Sequence, residues 1–211
     1  MKTFLATTGS GISRATYVPG GNGLVEEVLK GYRVTCLASD PYNPGRVYAG
    51  THTSGVLIST DQGQSWQPRG LPGQLITAIA VSPLIPGRIV AGIKPSGIFL
   101  SSDFGDHWEE IPSFRSIFSR RFWFSPAEKP FTAYVQGIAL SPSDPNVIVV
   151  GVEAGAVVRS TDGGKTWQDH RKGALRDCHS ITFHASNGNW VYEAGGTGAG
   201  TAISRDGGNS W

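Results

Sequence analysis

The sequence predicts an all-β fold, a β-propeller of four-stranded blades, on three observations. The composition suits strands and turns: 29 of 211 residues are Gly and 6 are Trp, while only 16% are charged, against about a quarter in typical domains. An eight-residue box, S-x-D-x-G-x-x-W, occurs four times, as Ser59–Trp66, Ser101–Trp108, Ser160–Trp167 and Ser204–Trp211. Its aspartates, Asp61, Asp103, Asp162 and Asp206, lie 42, 59 and 44 residues apart. Two of these intervals match the roughly 40–45 residues of a propeller blade, and the third is a blade with an insertion of about 16 residues.

Composition also excludes several classes. A disordered chain would have few aromatics and a high net charge; here the net charge is +2. Such a balance predicts neither a nucleic-acid nor a membrane partner. No apolar run approaches the roughly 18 residues of a membrane span. Met1–Ala6 hints at a leader, but the apolar stretch breaks at Thr7-Thr8-Gly9-Ser10-Gly11. It is read as mature protein, with the cytoplasm as default compartment and secretion as the alternative. Cys36 and Cys178 make no disulfide framework and read as two buried thiols.

Strand positions in a blade run A to D from the axis outwards. Residues 1–33 predict a partial blade: Phe4–Ser13 reads as B and C, Val25–Leu29 as D, and no box joins them. Blade 34–75 has strand A at Val34–Ser39, a Pro- and Gly-bearing turn at Asp40–Gly45, B at Arg46–Gly50 and C at Val56–Ser59. Residues 35–66 align without a gap on 77–108, so blade 76–134 repeats the pattern. Ser141-Pro142-Ser143-Asp144-Pro145-Asn146 places the same turn in blade 135–177. Residues 178–211 predict an incomplete blade ending at its box. Six or seven blades need roughly 260–320 residues, so the 211 residues are expected to be one domain, part of a longer propeller. In each box the Asp is expected to accept backbone N–H groups of its own turn, the Gly to adopt positive φ, and the Trp to cover the hairpin. All four pairs, Asp61/Trp66, Asp103/Trp108, Asp162/Trp167 and Asp206/Trp211, are thus structural.

The box resembles the Asp-box, or bacterial neuraminidase repeat, and the resemblance covers nearly the whole chain. Families with such repeats include sialidases, oligoxyloglucan-type glycoside hydrolases, sortilin-like receptors and a photosystem II assembly factor, all β-propellers of differing function. The resemblance implies, for a hydrolase, a catalytic Asp in an early Thr-Asp-x-Gly-Gly loop; the matching stretch here is Thr51-His52-Thr53-Ser54-Gly55, with His52 in place of the Asp. A sialidase would carry an Arg-Ile-Pro segment, and none occurs.

Candidate site residues fall on the face carrying the B–C loops and the D–A connections; Arg46, Arg88 and the boxes lie on the other. Ile111–Tyr134 is the insertion, with seven aromatics and a local charge of +3 from Arg115, Arg120, Arg121 and Lys129 against Glu128. Long loops in compact domains are often functional. Aromatics beside cations can stack on sugars or grip an acidic partner. The residues expected to touch a ligand are His52, Arg115, Arg120, Arg121, Trp123, His170, Arg171 and His179. The expected function is a binding scaffold for a glycan or protein. The alternative is a glycoside hydrolase-like enzyme, for which Glu153 and Asp177 are the catalytic candidates, with the second carboxylate in further blades. A third reading is an assembly factor using Arg115, Arg120 and Arg121. Gly195–Gly200 reads as a turn rather than a phosphate loop. No His pair shows metal-ligand spacing, so neither metal nor cofactor is expected.

Overall fold

The computed structural model describes residues 2–17, 20–126, 129–196 and 198–211. The chain forms five antiparallel sheets in sequence order. The first holds β1 (Lys2–Thr7), β2 (Ile12–Tyr17) and β3 (Leu24–Val28). The second holds β4 (Val34–Asp40), β5 (Asn43–Thr51), β6 (Val56–Ser59) and β7 (Gln67–Pro68). The third holds β8 (Leu75–Val81), β9 (Ile89–Lys94), β10 (Gly97–Ser101) and β11 (Glu109–Glu110). The fourth holds β12 (Val135–Leu140), β13 (Ile148–Val152) and β14 (Val157–Ser160). The fifth holds β15 (Cys178–His184), β16 (Asn187–Gly195) and β17 (Thr201–Ser204). This is a partial β-propeller. Among the described residues no helix is long and apolar enough to cross a membrane.

Strand C of the second sheet falls where the sequence puts it, and strand B starts three residues early, at Asn43. Strand D is five residues long in the first sheet, Leu24–Val28, and rudimentary after it. It is two residues long in the second and third sheets, and one bridge, Arg159 to Gln168, in the fourth. In β7 the second residue, Pro68, has no N–H to extend the ladder.

Four hydrophobic clusters fill the seams between successive sheets. Ile12, Val34, Ala49 and Leu57 close the first seam, and Tyr48, Val56, Ile76 and Ala91 the second. Val90, Ile98, Val135 and Val150 belong to the third, and Val149, Val157, Ile181 and Val191 to the fourth. Trp66, Trp108, Trp167 and Trp211 each pack on one cluster, in that order. The box Trp therefore caps a seam between blades as well as its own hairpin. Close approach at the seams explains glycines in strand B. A Cβ at Gly50 would lie 2.5 Å from Cys36 Sγ and 2.8 Å from Ile76 Cγ2, and one at Gly92 would overlap Val135.

The four boxes share one hydrogen-bond pattern. In the first, buried Ser59 Oγ donates to Asp61 Oδ1 (2.7 Å) and accepts Gly63 N–H (2.8 Å). Asp61 accepts Ser65 N–H (2.9 Å) and Oγ–H (2.6 Å), and Trp66 Nε1–H donates to Gly63 O (3.1 Å). Two successive residues, not one, are left-handed: Gln62 and Gly63 (φ 61 and 83), then Phe104 and Gly105 (61 and 89). This turn aims the carbonyl of the residue after the Asp at the preceding blade. Arg14 Nε donates to Gln62 O (2.9 Å), Arg69 Nε to Phe104 O (3.2 Å) and Arg159 Nε to Gly207 O (2.8 Å). Each arginine clips one blade to the next box.

Candidate functional site

The ladder register defines equivalent positions around the propeller axis. Val34 pairs with Thr51, Ile76 with Ile93, Val135 with Val152 and Cys178 with Gly195. The residue after each B-strand partner is therefore His52, Lys94, Glu153 or Gly196. The residues flanking each A-strand partner are Arg33 and Thr35, Leu75 and Thr77, Tyr134 and Gln136, and Asp177 and His179. Backbone bonds repeat this equivalence: His52 N–H donates to Arg33 O (2.9 Å), Glu153 to Tyr134 O and Gly196 to Asp177 O (both 3.0 Å). These positions form a continuous mouth on the face of the B–C loops.

The mouth has two halves of different chemistry. A cavity of about 290 Å³ occupies the first, lined by Arg33, Thr35, His52, Thr77, Lys94 and Tyr134 among others. Lys94 Nζ sits 5.2 Å from the Tyr134 ring centroid, an attractive cation–π arrangement. The second half is acidic. His179 Nε2 lies 3.1 Å from Glu153 Oε2 and 3.3 Å from Asp177 Oδ1. Glu153 is only 8% exposed. Burial first, then the neighbouring Asp177 charge, pushes its carboxyl above the usual range, partly offset by His179.

The structure thus gathers His52, Glu153, Asp177 and His179 at one mouth. Sequence spacing did not reveal the full grouping, because Glu153 follows β13 while Asp177 and His179 flank Cys178 at the start of β15. Arg33, Lys94 and Gln136 were also missed. The signal was present: the gap-free alignment of 35–66 on 77–108 places His52 on Lys94.

The other candidates sit apart from the mouth, on the insertion and its neighbour. Two 3-10 turns, Pro112–Ser116 and Phe118–Phe122, shape the insertion. Phe114 (0% exposed) and Trp123 (8%) join the seam cluster, their rings 5.8 Å apart. Trp123 Nε1–H donates to Ser119 Oγ (2.9 Å). Trp123 is therefore a core residue and offers no open face to a ligand. Arg120 donates to Ser96 O (2.8 Å), Arg115 pairs with Glu110, and His170 Nδ1 accepts Val157 N–H (3.2 Å). Burial first and Arg176 next push the His170 pKa down, partly offset by Asp169. Arg121 and Arg171 are exposed. Arg121 stacks 3.6 Å from the Phe118 ring centroid. Phe118, Phe122, Phe124 and Phe131 stay exposed. Met1, Glu128 of the insertion charge and Thr197 of the 195–200 turn lie outside the described residues.

A family model described as BNR/Asp-box repeat matches residues 57–68 and 158–169, over the first and third boxes. The chain carries BNR/Asp-box repeats. This Asp-box propeller is similar in structure to an ancestral GH74 enzyme, with 25% identity, a TM-score of 0.63, and 84% of this chain and 23% of that one covered. It is also similar to the GH74 xyloglucanase from Xanthomonas campestris, with 15% identity, a TM-score of 0.65, and coverage of 97% and 34%. YCF48 bound to D1 peptide matches with 17% identity, a TM-score of 0.55, and coverage of 97% and 74%. The chain spans about a quarter to a third of the length of the two GH74 structures. No curated protein sequence matches it.

Proposed function

We propose that this Asp-box propeller is a binding module whose ligand lies across the axial mouth. The observation that carries the reading is the run of equivalent positions that sets Arg33, His52 and Lys94 around a cavity of about 290 Å³. Three basic side chains converging in a concave site favour an anionic group. The favoured ligand is a protein segment presenting carboxylates, with a glycan as the competing class. YCF48 bound to a peptide and the GH74 enzymes are similar folds serving each class.

Hydrolysis by Glu153 and Asp177 as a catalytic pair fits the mouth less well. A glycosidase keeps its two carboxyl groups about 5–5.5 Å apart when retaining and about 6.5–9.5 Å apart when inverting. Here the facing atoms of Glu153, Asp177 and His179 all lie within 4.8 Å of one another. The His179 imidazole already contacts both carboxylates, at 3.1 and 3.3 Å.

The test is fluorescence anisotropy against acidic peptides, neutral peptides and neutral oligosaccharides. Acidic peptides are expected to bind, with affinity that falls as salt rises. The Arg33→Ala/Lys94→Ala double variant should weaken that binding about tenfold or more. Binding of neutral oligosaccharides alone, or peptide binding indifferent to the double variant, would overturn the reading.

A further inference from the structure

The three side chains of the acidic half bring one donor atom each to within 4.8 Å of one another. His179 Nε2 is 3.1 Å from Glu153 Oε2 and 3.3 Å from Asp177 Oδ1, yet Glu153 Oε2 has no hydrogen-bond partner among the described residues. A buried carboxylate oxygen without a donor is costly. Nitrogen and oxygen ligands bound to one ion at about 2.0–2.2 Å, at octahedral or tetrahedral angles, stand about 2.8–3.6 Å apart. The two measured separations fall within that span.

A second observation concerns the backbone packed against the cluster. The position equivalent to His52, Lys94 and Glu153 is glycine in the fifth sheet. A Cβ at Gly196 would overlap Asp177 Oδ2 and come within 2.9 Å of His179 Nε2. Gly196 has no positive φ, so backbone conformation does not require glycine there. The missing side chain lets the Asp177 carboxylate and the His179 ring press against the backbone there.

We propose that Glu153, Asp177 and His179 bind one divalent transition-metal ion, Zn²⁺ fitting best. Two carboxylates and one imidazole match zinc's oxygen and nitrogen donors, whereas Ca²⁺ prefers all-oxygen shells. Two negative charges balance the ion. Three protein ligands leave a coordination position open toward the mouth, for water or a ligand oxygen. An ion there turns the acidic half from a repeller of carboxylates into an acceptor of them.

The experiment titrates ZnCl₂ into the chelator-stripped chain by calorimetry, with visible absorption of the Co²⁺ form as a second readout. One ion per chain is expected, with a higher Tm in its presence. Asp177→Asn and His179→Ala should each weaken the ion about tenfold or more. Gly196→Ala should do the same although it keeps all three ligands. His184→Ala, an exposed histidine elsewhere, should change nothing. No saturable binding of Zn²⁺, Mn²⁺ or Co²⁺ would overturn the proposal, leaving His179 as an ion-pair partner of two acids. Binding that survives in both ligand variants would overturn it equally, by placing the ion elsewhere. His179 is half-exposed, so its variant is informative even if Gly196→Ala fails to fold.

Discussion

At the scale of single residues, the box aspartates and Glu193 pull the pH dependence in opposite directions. For Asp61, burial acts upward but the Ser65, Ser59 and Gln64 hydrogen bonds outweigh it and bring the pKa from 3.8 to about 2. Asp103, Asp162 and Asp206 also reach about 2, the first two held chiefly by His107 and Thr166, the last by Ser210 against a burial penalty. A depressed folded pKa gives stability that is present above the unfolded value and lost as pH falls. The boxes should therefore weaken between pH 3.8 and about 2. Glu193 is the reverse case. It stands on β16 at the register position of Ala49, Ala91 and Val150, and is 2% exposed. Burial lifts its pKa from 4.5 to about 7, against the Leu175 N–H and Cys178 thiol bonds. Its folded form holds a proton that the unfolded chain has lost, so stability should decline as pH rises from 4.5 to about 7. Urea midpoints taken from pH 2 to 8 should peak near pH 4. Glu193→Gln should flatten the upper limb alone, and an unchanged limb would show that another group controls it.

Among the elements, the insertion divides its labour in a way its sequence could not disclose. Seven aromatics in Ile111–Tyr134 read either as a private mini-core over the blade edge or as a grip for a ligand, with nothing in the sequence to sort them. The structure sends Phe114 and Trp123 into the seam and leaves Phe118, Phe122, Phe124 and Phe131 outside. Trp123→Ala should lower unfolding free energy by about 3–5 kcal/mol in urea titration, as for other buried aromatics. Phe122→Ala, at 68% exposure, should cost about 0.5 kcal/mol or less. Equal costs would mean that the loop does not pack as described. The contrast also marks what a sequence can carry. Blades were legible because the box, the Asp40–Gly45 turn and the small residues of strand B are local patterns that recur at a fixed period. The fate of Trp123 depends on Ser119 and on the seam behind it. The grouping of Glu153 with Asp177 and His179 depends on β13 and β15 of neighbouring sheets meeting at the axis. Neither has a local period to read.

For the whole molecule, connectivity decides how stability is shared. Every substantial contact between sheets joins sequence neighbours, and each hydrophobic cluster belongs to one seam. Among the described residues no substantial contact joins the first sheet to the fifth. Such a stack is close to one-dimensional, so its stability approximates a sum of sheet and seam terms. Damage should then stay local. Ile12 is fully buried in the first seam, and Ile12→Ala should cost about 2–5 kcal/mol there. Native-state hydrogen exchange would follow the consequence strand by strand. Amides of β1–β3 should lose most protection, those of β4–β6 less, and those of β12–β16 almost none. Equal loss in all five sheets would mean that the arginine clips, Arg14 to Gln62, Arg69 to Phe104 and Arg159 to Gly207, couple the blades into one cooperative unit. The axial mouth draws residues from the second to the fifth sheets, so the same exchange map bears on binding. A local response would leave the Glu153–His179 half intact when the first seam is broken, and a global one would disable both halves together.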